Sequence, residues 1–391
     1  MAYTKVKPLM VASFPSSRLT GAFGAISGAN LTGLTVIDTE SVSSDPTITT
    51  NPSGGVGHTW LNKATGELFN CTNATTDNNI WVNIGSGTGD VEPYTFDAIG
   101  DRGVYTVYDR NQPAGVKHST YISIPTTGNS TDFGDGSLIR NGPPGGTSNG
   151  TRGLVFGGYI YDNGTYRNEI DYITISTPGN ATDFGDLVVI RSACGAAGNV
   201  TRSIISCGHG FSGHGSYTLT VEYVTPATTG NGTTFGNSTQ GRTYVSGNAS
   251  DTRALFWGGN TGAFFDIIDY VTIATTGNAT DFGDMSAARG DRGCCGNGIR
   301  GLSAGGYATG LTENGIDYVT IATTGNATDF GDMGAESSAV GNVSNDTRGV
   351  IARNGSYSGR TTEYVTIATT GNATSFGTID NYGGDASCSG D

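Results

Sequence analysis

The stretch "DYVTIATTGNATDFGDM" runs from Asp269 to Met285 and recurs letter for letter from Asp317 to Met333. Four degenerate copies accompany these two, at residues 119–135, 170–186, 221–237 and 362–378. An arginine precedes every copy, at steps of 47 to 51 residues: Arg102, Arg152, Arg202, Arg253, Arg300 and Arg348. A period near 50 residues predicts repeated supersecondary units. The duplicated stretch is therefore interpreted as part of a repeated scaffold and not as a repeated catalytic or binding motif.

One unit can be divided into four strands. "RGLVFGG" from Arg152 alternates and ends in a glycine pair, and "EIDYITIS" from Glu169 alternates again. After the turn "TPGN", residues 181–187 form a short strand anchored by a phenylalanine, and residues 192–199, "SACGAAGN", form a strand of small side chains suited to a crowded axis. Four short strands in each of six units predict an all-β, six-bladed β-propeller, with a linear β-solenoid as the alternative.

Composition and charge narrow the function. Glycine accounts for 64 of 391 residues, and the formal net charge is −14. An acidic surface repels phosphate backbones and anionic lipid, so we expect no nucleic-acid partner and no membrane insertion. No signal peptide or transmembrane span is evident. The six cysteines fit no zinc signature and are interpreted as free thiols, and we expect no cofactor.

The repeat "GLVFGGY…IDYITIS…DFGDLVVIRSACGAAGN" resembles a kelch repeat, although phenylalanine stands where that family usually has tryptophan. More closely, the "YVTIATTGNATDFGD" units resemble those of kelch-like structural proteins of tailed bacteriophages, especially aquatic phages, over about residues 95–391. The resemblance implies a virion surface protein made in the host cytoplasm. It makes a tail fibre or adhesin with a kelch-like propeller the first hypothesis.

The N-terminal part differs from the repeats. Residues 57–85, with Trp60 and Trp81 as core aromatics, resemble a small β-module of phage tail-fibre proteins. We therefore expect an irregular virion-attachment arm at 1–45, the module and a glycine-rich linker at 46–92, and the propeller at 93–391. The expected partners are other virion proteins, bound through the arm, and two further copies of the chain in a homotrimer formed through the N-terminal region.

Candidate chemistry is sparse. The "DFGD" segments are similar to the metal-binding motif of protein kinases, but the other kinase motifs are absent. We interpret each segment as a buried phenylalanine followed by a turn, with calcium binding by the carboxylates as the alternative. His209 and His214 lie five residues apart, and copper or zinc ligation there is a weaker alternative to an adaptable polar surface. No sialidase box is present, and the six aligned arginines favour an architectural role. We therefore predict no catalytic residues, no metal site and no enzymatic activity.

The variable parts of the repeat are the loops that follow the glycine pair. These loops differ in length and carry aromatic and polar side chains, a mixture typical of adaptable binding surfaces and suited to stacking on sugar rings. The predicted receptor-binding candidates are Tyr159, Tyr161, Tyr166, His209, Phe211, His214, Tyr217, Phe264, Phe265, Tyr307, Tyr357 and Arg360. The expected ligand is a host surface glycan or protein. The alternatives are a virion structural or capsid-decoration protein without a receptor role, and a polysaccharide-cleaving propeller enzyme.

The chain's last residues predict how the repeats close. "SFGTIDNYGGDASCSGD" aligns with the segment that supplies each small-residue strand, whereas the residues before Arg102 lack that character. Residues 383–391 are therefore expected to be the innermost strand of the blade that starts at Arg102, with Asp391 beside Asp101. Deleting 383–391 should destabilise the protein, whereas deleting 1–45 should not.

Overall fold

The computed structural model describes residues 39–84, 96–106, 117–140, 144–160, 164–210, 216–353, 360–379 and 386–390. The chain separates into two compact units, residues 1–94 and 95–391. Over the described ranges the regular secondary structure is β-strand throughout, which confirms the all-β prediction. None of these residues belongs to a helix long and apolar enough to cross a membrane.

The described part of the first unit contains one sheet of four strands, in the order in which they occur along the chain: β1 (Thr39–Val42), β2 (Thr59–Asn62), β3 (Leu68–Asn73) and β4 (Ile80–Asn83). Trp60 and Trp81 pack edge to face with ring centroids 5.9 Å apart, over the buried Phe69. The last three strands fall within residues 57–85, the segment in which the sequence predicts a small β-module. The sequence assigned residues 39–42 to an irregular arm, but they pair in parallel with β2, a long-range contact that four residues do not reveal on their own.

The described part of the second unit contains six four-stranded antiparallel sheets, numbered I to VI along the chain. Sheet I holds β5 (Arg102–Thr106), β6 (His118–Ser123) and β7 (Thr131–Asp135). Sheet II holds β8 (Gly145–Ser148), β9 (Arg152–Ile160), β10 (Thr165–Thr174) and β11 (Thr182–Asp186). Sheet III holds β12 (Gly195–Gly198), β13 (Ser203–Ser206), β14 (Thr220–Val224) and β15 (Thr233–Asn237).

The remaining sheets repeat this order. Sheet IV holds β16 (Ser246–Ala249), β17 (Arg253–Trp257), β18 (Ile267–Thr272) and β19 (Thr280–Asp284). Sheet V holds β20 (Gly293–Gly296), β21 (Arg300–Ala304), β24 (Gly315–Thr320) and β25 (Thr328–Asp332), with a hairpin of β22 (Tyr307–Ala308) and β23 (Leu311–Thr312) inserted. Sheet VI holds β26 (Ala339–Ser344), β27 (Arg348–Arg353), β28 (Arg360–Thr366) and β29 (Thr374–Ile379), and the chain then forms β30 (Ala386–Gly390).

The final strand belongs to the first sheet. β30 pairs antiparallel with β5, so that Gly390 lies opposite Arg102. This confirms for residues 386–390 that the chain's end supplies the innermost strand of the sheet that starts at Arg102, while Asp391 lies outside the described residues. The innermost strands contact one another in a cyclic order, β30, β8, β12, β16, β20, β26 and β30 again. Their small side chains permit this approach, since a Cβ on Gly247 would lie 2.6 Å from the Ala196 carbonyl oxygen.

The arginine that opens each repeat joins its own sheet to the next one. The guanidinium of Arg253 lies 4.7 Å from the ring centroid of Tyr270, and its Nη1 donates to the Ile321 carbonyl of sheet V at 3.0 Å. The last arginine, Arg348, donates back to Ile124 of sheet I, so the linkage is also cyclic. The equivalent stacking on a tyrosine is made by Arg102, Arg152, Arg202, Arg253, Arg300 and Arg348.

The repeated "TTGN" and "DFGD" segments meet between neighbouring sheets. In the first identical copy, Phe282 is buried and Gly283 has a φ of 145°. A Cβ on Gly283 would lie 2.4 Å from the carbonyl oxygen of Gly325 in the next copy. The backbone N–H of Asp284 donates to Oδ1 of Asn326 at 3.1 Å. The repeated letters therefore encode contacts between sheets, and the duplicated stretch is scaffold.

Candidate functional site

We use the term variable face for the end of sheets I to VI at which the arginine-bearing strands end and the tyrosine-bearing strands begin. The glycine pair turns the chain out of the sheet there. Gly258 and Gly259 have φ values of 54° and 106°, a region that side chains with a Cβ disfavour. Sheet III keeps the same backbone with Cys207 at a φ of 61° and Gly208 at 106°, although its sequence pair is degenerate.

A buried ion pair supports the base of the variable loop in sheet III. Arg191 Nη1 donates to the carbonyls of Cys207 and Thr220, each at 2.9 Å, and its Nη2 pairs with Glu222. Both charged side chains are completely buried. Because the two carbonyls lie at the start and the end of the loop, the arginine fixes the distance between them. Equivalent pairs are Arg140–Asp171, Arg242–Asp269 and Arg289–Asp317, at 2.6, 2.8 and 2.6 Å.

Sequence reasoning missed these ion pairs. The available signal was the acidic residue directly before the repeat tyrosine, present in five of the six copies and absent at Thr120 of the first. An acid in the middle of a buried strand requires a partner. The partner does not keep one position in the repeat, since sheet VI uses Arg353 from the strand beside Glu363, at 3.2 Å.

Four of the predicted binding residues form one aromatic group, named here the Tyr166 cluster. Tyr166 lies 4.6 Å from Tyr159 between ring centroids and stacks at 5.3 Å on His209 of sheet III. Tyr217 packs edge-on against His209 at 5.7 Å. The Tyr166 hydroxyl and His209 Nδ1 are 2.6 Å apart and share a hydrogen bond. The loops of sheets II and III therefore present one continuous, half-buried aromatic surface.

A second group, the Tyr307 cluster, joins the loops of sheets IV and V. The rings of Phe264 and Tyr307 lie 5.7 Å apart in an edge-to-face arrangement. Tyr307 is 40% exposed, and Leu311 on the same hairpin is 69% exposed. Phe265 supports the loop through its backbone, which donates to Gly259 and accepts from Arg289. The hairpin thus holds an apolar surface open to solvent on the variable face.

The other predicted residues have separate positions. Arg360 starts β28 of sheet VI opposite Ile379 and is partly buried. Two exposed apolar side chains that sequence reasoning missed, Val188 and Leu219, lie at the same end of the sheets. Four predicted residues fall outside the described part of the chain: Tyr161, Phe211, His214 and Tyr357.

A central cavity of about 120 Å³ is lined by the innermost strands. At the opposite end from the variable face, the Ala98 carbonyl accepts from Ser148 Oγ at 2.6 Å.

Burial raises the pKa of Cys194 to about 11 and that of Cys294 to about 12, so these thiols stay protonated and weakly nucleophilic at neutral pH. Over the described ranges, no three His, Cys, Asp or Glu side chains are grouped to hold a metal ion.

A scan of the chain against protein-family models finds no match, and a search of curated proteins finds none either. The geometry of the variable face is therefore the structural basis for inferring what the chain binds. Aromatic rings held on polar loops offer flat apolar surfaces with hydrogen-bonding groups beside them. That combination suits the two kinds of surface on a sugar, its apolar ring face and its hydroxyl groups.

Proposed function

We propose that the chain is a surface protein of a tailed-phage virion, a tail fibre or adhesin whose six-bladed kelch-like propeller binds a host surface glycan. The observation that carries the proposal is the separation of two kinds of residue. The residues repeated in every sheet contact neighbouring sheets, whereas the aromatic residues that differ between sheets gather in two clusters on the variable face. Scaffold and recognition surface are thus distinct.

Three observations support a propeller. The innermost strands contact each other in a cyclic order, and Arg348 of sheet VI donates to sheet I. The two ends of the second unit share sheet I through β30 and β5. Closure of this kind leaves no open sheet edge between the first and last repeats. Each sheet would then be one blade, with its variable loop on a common face.

The virion assignment depends on the resemblance of the repeats, and of residues 57–85, to structural proteins of tailed phages. The proposal includes attachment to other virion proteins through residues 1–45 and a homotrimer through the N-terminal region. Labelling intact particles with an antibody against the chain separates a tail position from the decoration of the capsid. Sugar release from a bound polysaccharide would instead favour the polysaccharide-cleaving alternative.

Binding of the purified full-length chain to host cells and isolated surface glycans tests the receptor role. Tyr217→Ala, and Phe264→Ala combined with Tyr307→Ala, should each weaken binding about tenfold or more, which is roughly 1.4 kcal/mol. The matched control is Thr324→Ala, an exposed residue of the repeated turn at the other end of the sheets. If the control lost binding while the aromatic variants kept it, the ligand would bind at the end of the sheets that carries the repeated turns, and the proposal would be wrong.

A further inference from the structure

The Tyr166 cluster and the Tyr307 cluster are built from equivalent positions of the repeat. His209 and Tyr307 each come directly after the glycine-pair position of their own sheet. Each exchanges two backbone hydrogen bonds with the connection that arrives from the preceding sheet. His209 bonds Ser192 in this way at 2.8 and 3.1 Å, and Tyr307 bonds Gly290 at 2.8 and 3.1 Å. The two side chains therefore start from the same place in different sheets.

The ring that meets each of them is also in an equivalent position. The backbone N–H of Arg191 donates to the carbonyl of the residue after Tyr166 at 3.0 Å. In the same way, the N–H of Arg289 donates to the carbonyl of the residue after Phe264 at 3.1 Å. The ring of Tyr166 lies 5.3 Å from its partner in sheet III, and that of Phe264 lies 5.7 Å from its partner in sheet V. One pair of rings is thus repeated two sheets further along the chain.

An arginine joins the two loops of each pair. The carbonyl of Arg191 accepts from Gly158 of the sheet II loop at 2.8 Å, while its side chain donates to both ends of the sheet III loop. The carbonyl of Arg289 accepts from Gly259 of sheet IV at 3.0 Å, and its Nη1 donates to the Gly315 carbonyl of sheet V at 3.3 Å. Each arginine therefore sets the position of one ring relative to the other.

The scaffold does not require a ring at either position. Asn260 takes the place of His209 in sheet IV and keeps the two backbone hydrogen bonds, with Thr243, at 2.9 and 3.0 Å. Thr312 takes the place of Tyr166 in sheet V. The residue after it donates to the second glycine of the pair at 3.0 Å, as the corresponding residue of sheet IV does at 2.9 Å. Rings at both positions, in contact with each other, need an explanation outside the fold.

From sheet II to sheet V, the complete pair recurs at every second junction. Between sheets III and IV, Tyr217 holds the first position, but the second position is Asn260. Tyr217 packs instead against His209 of its own sheet, at 5.7 Å. One complete pair therefore lies between sheets II and III and another between sheets IV and V, with an incomplete pair separating them.

We propose that these two pairs of rings are two sugar-binding sites of one construction, and that the receptor is a polysaccharide of repeating units that occupies both sites at once. This inference rests on the proposed function, because it names the form of glycan bound at the same surface. Arg191 and Arg289 are the positioning residues of the two sites. A ligand held at one site is presented to the other at high effective concentration, so a polymer binds more tightly than its repeating unit without any new contact.

Titration calorimetry of the full chain with host surface polysaccharide, and with fragments of it graded by length, tests this inference. The smallest fragment that binds should saturate the wild-type chain at two fragments per chain, and the intact polysaccharide should bind about tenfold more tightly or better. Tyr166→Leu and Phe264→Leu each remove one flat ring and keep an apolar side chain. Each variant should bind one fragment per chain and lose the gain in affinity that the polymer gives.

The matched control is Tyr172→Leu, the same substitution on the same strand. Tyr172 lies on β10 with Tyr166, but its ring belongs to the scaffold, where the guanidinium of Arg152 lies 4.7 Å from the ring centroid. The melting temperature of this variant reports the cost of losing a scaffold ring. The variant should still bind two fragments per chain.

Arg191→Lys tests the positioning role. A lysine keeps a positive charge beside Glu222 but has no fork of donors to reach both ends of the sheet III loop. The variant should weaken fragment binding at one site about tenfold, which is roughly 1.4 kcal/mol, and leave the other site at its wild-type affinity. A merely structural role would lower the melting temperature and leave both affinities unchanged.

Two results would overturn the inference and leave the proposed function intact: a wild-type chain that saturates at one fragment, or a polysaccharide that binds no more tightly than the fragment. Loss of a fragment site in Tyr172→Leu would also overturn it, because lost stability and not a lost ring would then remove binding. If neither the polysaccharide nor any fragment binds, the glycan-binding function itself is wrong, and the inference fails with it.

Discussion

Replacing Arg292 by valine should stabilise the second unit. Arg292 is 4% exposed, and its Nη1 donates to Ser303 Oγ at 2.8 Å. Over the described ranges its Nε and Nη2 have no hydrogen-bond partner. It lies three residues after Arg289, where the equivalent positions of sheets III and IV hold Cys194 and Val245. The repeat thus accepts an apolar side chain where sheet V buries a charge.

The magnitude follows from the electrostatics. Burial, together with the charge of Arg289, lowers the pKa of Arg292 from its ordinary value to about 9. At 1.36 kcal/mol for each pKa unit, that change corresponds to roughly 5 kcal/mol as an upper bound. The lost hydrogen bond to Ser303 removes about 1 kcal/mol of this gain. We expect Arg292→Val to raise the free energy of unfolding by about 2–4 kcal/mol, in line with other replacements of buried charges.

The neighbouring arginine is the control, and its expected effect has the opposite sign. Arg289 Nη2 pairs with Asp317 at 2.6 Å, and Arg289→Val would leave that buried carboxylate without its cation. This variant should lose about 3–5 kcal/mol. Urea unfolding of the two variants beside the wild type measures both changes. A free energy of unfolding of Arg292→Val at or below that of the wild type would refute the assignment of Arg292 as an uncompensated charge.

Three further predictions concern the scaffold. Deleting residues 386–391 should lower the melting temperature by roughly 10 °C or more, or cause aggregation, because it uncovers the edge of β5; an unchanged melt would contradict closure by the chain's end. Gly283→Ala should cost about 1–3 kcal/mol because its Cβ would lie 2.4 Å from the Gly325 oxygen, whereas Gly325→Ala faces open space and should cost under about 0.5 kcal/mol. The free energy of unfolding should fall as pH rises above 9, because burial raises the pKa of the thiols of Cys194, Cys294 and Cys388 to about 11–12, so the unfolded chain loses these protons first. Urea unfolding from pH 7 to 10 checks this, and a stability that does not change with pH would be the contrary result.

The sequence predicted the repeated scaffold because each contact between sheets recurs in every repeat and requires the same residue type at the same position of each copy. Arg253, Gly283 and Asn326 are examples, and each makes a contact that its neighbours in the repeat also make. The closing strand was predictable for the same reason, since the chain's end aligns with a small-residue strand. The parallel pairing of β1 was not, because it occurs once and has no second copy to reveal it.

The site was predictable in composition and not in arrangement. Loop aromatics are visible in the sequence, but the hydrogen bond between Tyr166 and His209 joins two loops 43 residues apart. Which rings meet depends on how neighbouring sheets are placed, and the loop letters do not repeat. Exposed apolar residues such as Val188 escaped prediction because an isolated valine looks the same whether it is buried or not.

A crystal structure of the full chain with a bound oligosaccharide, chosen from the host surface glycans by its affinity, tests the central claim most directly. The account predicts density for sugar rings stacked against Tyr217 or Tyr307 on the variable face, with the repeated turns free of ligand. A ligand in the central cavity, or against the "TTGN" turns at the other end of the sheets, would contradict the division of the molecule into scaffold and recognition surface.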